Sequence, residues 1–291
     1  MSGYFASLLS VIGINMILAL GLNIITGFCG QVSLGHAAFY GIGAYTAAYL
    51  SKLGVPLLLT LPAGTAMAGL IGVVVGLTSL RVRHDFLAVT TMGIGFIFLG
   101  FVRKQKWLGA ELGISGIPAS GLDPIAYALL IAVAAAAVIA FSLWIKRSWM
   151  GFTFDAVADD EDAARTVGVN VPAYKLTAFG IGTAFAGLAG GLYVYFARII
   201  LPDTFDFVQS IAILTMVVIG GTGSVWGVVA STVALTLLPE ASRAASDYRL
   251  LIFGGMLILV MRFSPGGLAG MARSFLGSYL GSKRARRRAV P

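Results

Sequence analysis

The chain has 291 residues, 58% of them hydrophobic and 11% charged, with a mean hydropathy of +0.92; these values exclude an ordinary soluble domain and mark a polytopic membrane protein. Its net charge of +8 does not point to nucleic acid, because Lys283, Arg284, Arg286, Arg287 and Arg288 crowd together beyond the final apolar run, where a tail facing anionic lipid is the simpler reading. The single cysteine, Cys29, excludes an intrachain disulfide and a cysteine-rich metal site.

Charged residues delimit the apolar spans. The first, 4–26, is interrupted by Asn15 and Asn23, residue types that bond neighbouring helices inside a membrane. No basic residue precedes it and no persuasive cleavage site follows, so it is expected to be a retained span; Phe28 ahead of Cys29 argues against a lipid anchor. A polar break follows inside GFCGQVSLGHAAFYGIGAYTAAYL, residues 27–50. Gly27, Gly30 and Gly35 free the backbone to leave the helix, and unwound backbone survives at membrane depth only when buried in protein or lining a cavity. Such breaks mark transporter pathways. Gln31, Ser33 and His36 are therefore candidate pathway residues, against the competing reading that they only tie helices together. The second span, 38–50, is short unless the unwound stretch supplies depth. After a turn at Lys52 and Pro56 the third span covers 57–80, closed by Arg81, Arg83, His84 and Asp85, and the fourth covers 86–102, closed by Arg103, Lys104 and Lys106.

A glycine-rich loop leads to a fifth span at 124–145, ended by Lys146 and Arg147. Residues 148–174 form the one long hydrophilic segment before the tail. Within it, 155–167 is expected to be a single short helix with Val157, Ala164 and Val167 along an apolar stripe. Its acidic residues 159–162 suit the helix dipole, and Gly168 supplies a left-handed cap. This has the pattern of a docking element; a solvated loop helix is the alternative. The sixth span, 176–197, presents Gly180, Gly182, Gly187, Gly190 and Gly191 as a smooth packing face. Residues 207–239 carry no charge and are too long for one span and too short for two. They break at IGGTGSVWG, 219–227, which pairs with the first break and adds Thr222 and Ser224 to the pathway candidates. The two breaks are expected to be non-helical and to meet near the bilayer midplane. A last short span covers 250–261. The expected fold is thus all-α, a bundle of about eight to ten membrane segments with two broken or re-entrant helices, forming one domain over 1–291 with a cytoplasmic coupling loop at 148–174 and a basic cytoplasmic tail at 273–291. Most of the 20 Lys and Arg then face inside, although Arg103, Lys104 and Lys106 fall outside against the trend.

Enzyme chemistry finds no support. GGTGSVWG lacks the Lys-Ser/Thr ending of a phosphate loop, His36 and His84 lie in separate segments and make no zinc site, and no carboxylate falls inside a predicted span to serve a proton relay. No catalytic residue, metal or cofactor is expected.

Several ordered motifs carry a resemblance: G-x-x-G-Q-V-S-L-G-H-A-A-F-Y-G-I-G-A-Y at 27–45, D-E-x-A-A-x-x-x-G-V at 160–169, A-F-A-G-L-A-G-G-L-Y at 184–193, M-V-V-I-G-G-x-G-S-V-W-G at 216–227, L-L-P-E at 237–240 and F-S-P-G-G-L at 263–268. Together they resemble the inner-membrane permeases of branched-chain amino acid ABC importers, the LivM type. The resemblance implies a multi-pass protein of the bacterial inner membrane that pairs with a second related permease and two ABC ATPase subunits and receives substrate from a periplasmic or lipid-anchored binding protein. It also implies that Asp155, Val157, Asp160, Glu161, Ala163, Ala164, Val167 and Gly168 belong to the segment that meets the ATPase. Phe152, Asp155 and Ala158 stand where many relatives carry arginines, which leaves 146–175 slightly acidic. The same fold family serves urea and short amides, so such a permease is the alternative within the class; a standalone channel or ion-coupled carrier is the rival outside it, disfavoured by the long acidic inner loop. The purified chain, free of contaminating ATPase, is expected to release no phosphate from ATP, a result that a phosphate-release assay checks directly.

Overall fold

The computed structural model describes residues 2–79 and 84–241, with 254–256, 258–260, 262 and 266–270. The predicted span at 250–261 is therefore described only in part, and the basic tail at 273–291 lies outside the described residues. Among the described residues eight apolar helices form the membrane bundle: α1 (Ser2–Leu22), α2 (His36–Lys52), α3 (Leu57–Ser79), α4 (His84–Lys104), α5 (Pro124–Arg147), α8 (Val171–Ala197), α9 (Phe207–Gly220) and α10 (Val225–Ala241). Two short helices, α6 (Trp149–Asp159) and α7 (Glu161–Thr166), occupy the hydrophilic segment. Among the described residues the only strand-like pairing is an isolated bridge between Ile114 and Ile200, with both amide–carbonyl bonds at 3.0 Å. Six helical segments among the described residues are long and apolar enough to cross a bilayer, while α2 and α10, at 17 residues each, fall short of the usual 20 or so.

The architecture is centred on α8, and its glycines explain why. A Cβ on Gly187 would overlap the Ala68 side chain and Gly64 carbonyl of α3, one on Gly190 would overlap the Tyr40 carbonyl of α2, and one on Gly182 would overlap the Gly21 carbonyl of α1. Three helices thus approach α8 backbone to backbone. In lipid, where apolar side chains gain little by leaving the solvent, this close packing is what holds helices together. Hydroxyls reinforce the crossings: Tyr195 and Thr60 bond at 2.7 Å, and Tyr127 donates to the Leu192 carbonyl at 2.6 Å. Asn15 makes the interhelical bond expected of it, donating to Thr236 of α10 at 3.2 Å.

These contacts also set direction. Gly182 lies at Gly21, Gly187 at Gly43 and Tyr195 at Thr60, so α2 and α8 run the same way while α1 and α3 run against them. One end of the bundle consequently carries Lys146, α6 and α7. The opposite end carries the 3-10 turn Pro202–Phe205, whose Phe205 packs edge-on between Tyr40 at 4.9 Å and Tyr45 at 5.9 Å, and the exposed Arg103–Asp203 ion pair.

The structure corrects two sequence expectations. Helix does not stop at residue 26: α1 continues through a π-helical stretch, Asn23–Phe28. Nor is 155–167 one helix, because Asp160 turns out of α6 and uses its carboxylate to accept from the amides of Asp162 and Ala163, capping α7. The expected left-handed Gly168 is present, at φ +87°.

Gly187→Leu should destabilise the fold by about 3 kcal/mol or more, since its neighbours include backbone that cannot yield. Gly93→Leu, where an added Cβ meets nothing within 4 Å, should leave the thermal midpoint in detergent close to that of the wild type.

Candidate functional site

The first break begins in the π-helical turn. Gly27 sits where a Cβ would strike Asn23 Oδ1 and the Gly223 amide, so only glycine fits there. Wide turns of this kind recur at functional positions in helices. The Gln31 amide closes the end by donating to the Ile25 carbonyl at 3.0 Å, and Gly30 adopts φ +70°. From Cys29 to Gly35 the chain is non-helical and climbs back into the bundle, since His36 at the start of α2 lies against Gly21, more than a turn above Phe28.

Unwound backbone inside a membrane protein must be tied to its surroundings, and three neighbouring helices hold this segment and the start of α2. Leu34 donates to Thr91 Oγ1 of α4, and Ala37 donates to Ser210 Oγ of α9, each at 3.0 Å. Gln31 Nε2 donates to the Lys175 carbonyl of α8 at 3.1 Å. Gln31, Ser33 and His36 are all buried within the chain. Ser33 Oγ and the side-chain oxygen Oε1 of Gln31 have no hydrogen-bond partner among the described residues.

The second break is a tight reversal between α9 and α10. Gly221 and Gly223 take φ of +98° and +80°, and Ser224 Oγ accepts from the Gly227 amide as the cap of α10. Thr222 is exposed at the tip and Ser224 is half-buried. The breaks do meet, with the Gly223 amide donating to Asn23 Oδ1 at 2.9 Å. Their meeting point is not midway along the helices as the paired-break pattern predicts. It lies beside Lys146, at the end that carries α6 and α7, because α1 runs its full length before unwinding and the 17 residues of α10 return from that end.

The hydrophilic segment is clamped to this place. Lys146 Nζ is 2.7 Å from Asp155 Oδ1 and 5.0 Å from the centre of the Phe28 ring, which ties α6 to the π-helical turn. Glu161 of α7 pairs with Lys175 of α8, and both side chains are largely buried, at 14% and 10% exposure. The Lys175 carbonyl is the same group that receives Gln31. Ala158 packs directly on Gly30, and the Phe154 ring meets Tyr174 edge-on at 6.0 Å. Val157 and Ala164 face inward and are buried, whereas Val167, the third member of the expected stripe, is 78% exposed. Asp155 is half-buried, and Asp160, Ala163 and Gly168 are exposed. Sequence reasoning treated Lys146 only as a span boundary and Lys175 only as part of the family-like segment that follows 160–169, and missed Thr91 and Ser210 altogether. The lysines had a legible signal in the acidic segment lying between them.

Residues 4–261 match the family described as branched-chain amino acid transport system, permease component. The chain belongs to this permease family. Among relatives, the high-affinity branched-chain amino acid transport system permease protein LivM of Escherichia coli K12 is 33% identical over 89% of this chain and 68% of its own length. LivH of Salmonella typhimurium is 25% identical over 87% of this chain and 90% of its own length, and BraD of Pseudomonas aeruginosa is 25% identical over 87% and 91%. No solved structure matches. The permease family membership agrees with the bundle of membrane-crossing helices described above.

Thr91→Val keeps the shape of the side chain but removes the partner of a buried amide, and should lower stability by about 1–3 kcal/mol. Thr90→Val, at an exposed position whose hydroxyl bonds only within its own helix, should change little. Gln31→Leu loses the bond to Lys175 but also an unpartnered carbonyl, so a net loss nearer 1 kcal/mol is expected. Thermal unfolding of the three purified variants distinguishes these outcomes.

Proposed function

We propose that the chain is one permease subunit of an ATP-driven importer for branched-chain or related amino acids, seated in a bacterial inner membrane with α6 and α7 in the cytoplasm. It pairs with a second, related permease, draws its power from two separate ATPase subunits and receives substrate from a binding protein. One observation carries this reading: the segment α6–α7 is joined by two ion pairs to the end of α5 and the start of α8, and the α5 residue concerned, Lys146, also lies over the Phe28 ring of the π-helical turn. A helix pair that only filled a loop would not require a largely buried Glu161–Lys175 pair, since such pairs demand good geometry to offset desolvation.

In this reading the exposed outer face of α6–α7, with Trp149, Phe152 and Val167, meets the ATPase. The inward face, with Phe154, Val157 and Ala164, grips the membrane helices. Displacement of α7 pulls on Lys175 and, through its carbonyl, on Gln31. The return segment 29–35 then shifts against α4 and α9, and Gln31, Ser33 and His36 shape the wall of the pathway from behind. Thr222 and Ser224 form the opposing turn.

Phe152→Glu, on the exposed face, should weaken retention of the ATPase subunits by about tenfold or more, equivalent to ~1.4 kcal/mol or more, with the permease still folded. Glu161→Gln should leave retention intact but lower leucine transport per ATP hydrolysed in proteoliposomes, because it unpairs Lys175 at a cost of about 3 kcal/mol. Unchanged retention in the first variant together with unchanged transport in the second would overturn the proposal.

A further inference from the structure

A cavity of about 650 Å³ lies between α2, α3 and α4, far from the break. Its walls come from Ile42, Thr46, Ala63, Met67, Phe98 and Phe101, among others, and are almost wholly apolar. The cavity follows from how α3 is held. Glycine contacts at Gly64, Gly69 and Gly72 draw α3 onto α2 and α8, while α3 and α4 barely touch. Large side chains on the facing surfaces of α2 and α4, such as Tyr45 packed edge-on against Phe98 at 6.1 Å, prop α4 away. The opening is lateral, toward the bilayer, since Met67, Ile97 and Phe101 are exposed along it.

Two features at the Lys52 end give the cavity a chemistry. First, Tyr49 and Trp107 meet edge-on at 5.4 Å at its rim, the aromatic pairing expected at the headgroup level. Exposed Lys52, Lys104 and Lys106 lie within two residues of the lining residues Leu50, Val102 and Trp107, and none pairs with a carboxylate among the described residues. Lys104 and Lys106, with Arg103, are the cations that run against the charge asymmetry of the chain. Second, Tyr45 lines the cavity, and its hydroxyl is buried with no hydrogen-bond partner among the described residues. The other hydroxyl on the wall, Thr46, is already bonded to the Ile42 carbonyl.

We propose that this cavity is a binding site for one anionic phospholipid, with an acyl chain between α2, α3 and α4 and the phosphate held by Lys52, Lys104 and Lys106. The volume suits a single flexible ligand, the apolar walls suit a hydrocarbon tail, and the lysines attract a negative headgroup. The Tyr45 hydroxyl finds its partner in an ester oxygen. The site gives the outer-end cations a local role that the orientation rule does not. The inference does not depend on the transported substrate.

The test is native mass spectrometry of the purified full chain, with any subunits that accompany it, stripped of lipid and titrated with phosphatidylglycerol or phosphatidylcholine. One phosphatidylglycerol per chain should survive detergent exchange, with phosphatidylcholine bound about tenfold more weakly. Ala63→Trp, which fills the cavity, should abolish retention of both lipids, and Ile97→Trp at its lateral edge serves if that variant folds poorly. The surface variant Lys52→Gln with Lys106→Gln should keep yield and thermal midpoint while the preference for phosphatidylglycerol falls to less than threefold. Equal binding of the two lipids by the wild type, undiminished retention in the filled variants, or a cross-link from Ile97→Cys to a neighbouring subunit in place of lipid would overturn the proposal.

Discussion

The return segment 29–35 imposes the strictest constraint on this molecule: its backbone leaves the helix inside a membrane bundle, and each freed amide has to find a partner without water. Thr91 accepts from the Leu34 amide, Ser210 from the Ala37 amide in the first turn of α2, and the Lys175 carbonyl from the Gln31 side chain, so three different helices hold the segment and its exit. Most of the arrangement can be read as a consequence. The short α2, the placement of α4 and α9 beside the break, and the position of Gln31 against α8 all follow from where those partners must stand. Breaking the helix at this point creates a place where neighbouring elements are joined by a few directional bonds rather than by a broad packed face.

Elsewhere the joins are broad. The glycine seams of α8 lock α1, α2 and α3 into a block whose members touch backbone to backbone. Motion in such a structure concentrates where contacts are few, because packed interfaces are bistable rather than continuously deformable. The ion pairs of Lys146 and Lys175 meet the bundle at the edge of this block, beside the break. The division between a stiff block and a lightly tethered strand suits a protein whose work is conformational.

Much of this was legible in the amino-acid order. The breaks were visible as glycines around Gln31 and Ser224, the spans as charge-free runs, and the smooth face of α8 as its repeated glycines. The depth of the breaks was not legible, because spacing along a chain carries no information about which turn of a long helix lies at which level; residues 23–26 read as the end of the first span and 27–28 as the start of the break, yet together they form one π-helical turn whose Asn23 receives the Gly223 amide. The division of the coupling segment at Asp160 was hidden for a local reason. Asp160 suits both the first turn of a helix and a cap, and tertiary packing of Ala158 on Gly30 favours the cap. The outward position of Val167 has the same origin, since the stripe that aligns it with Val157 requires one unbroken helix. Thr91 and Ser210 carried no signal, as hydroxyls in apolar helices commonly bond within their own turn.

The bond between Asn23 and Gly223 spans 200 residues of chain, and that between Asn15 and Thr236 spans 221. A ribosome delivers the first of each pair to the membrane long before the second exists. Throughout most of synthesis α1 and its π-helical turn therefore hold two side-chain amides in lipid with their final partners still unmade, and the glycine faces of α2 and α3 wait for α8. The helices α8, α9 and α10 follow those of the N-terminal half into the membrane and bring the partners that these groups lack.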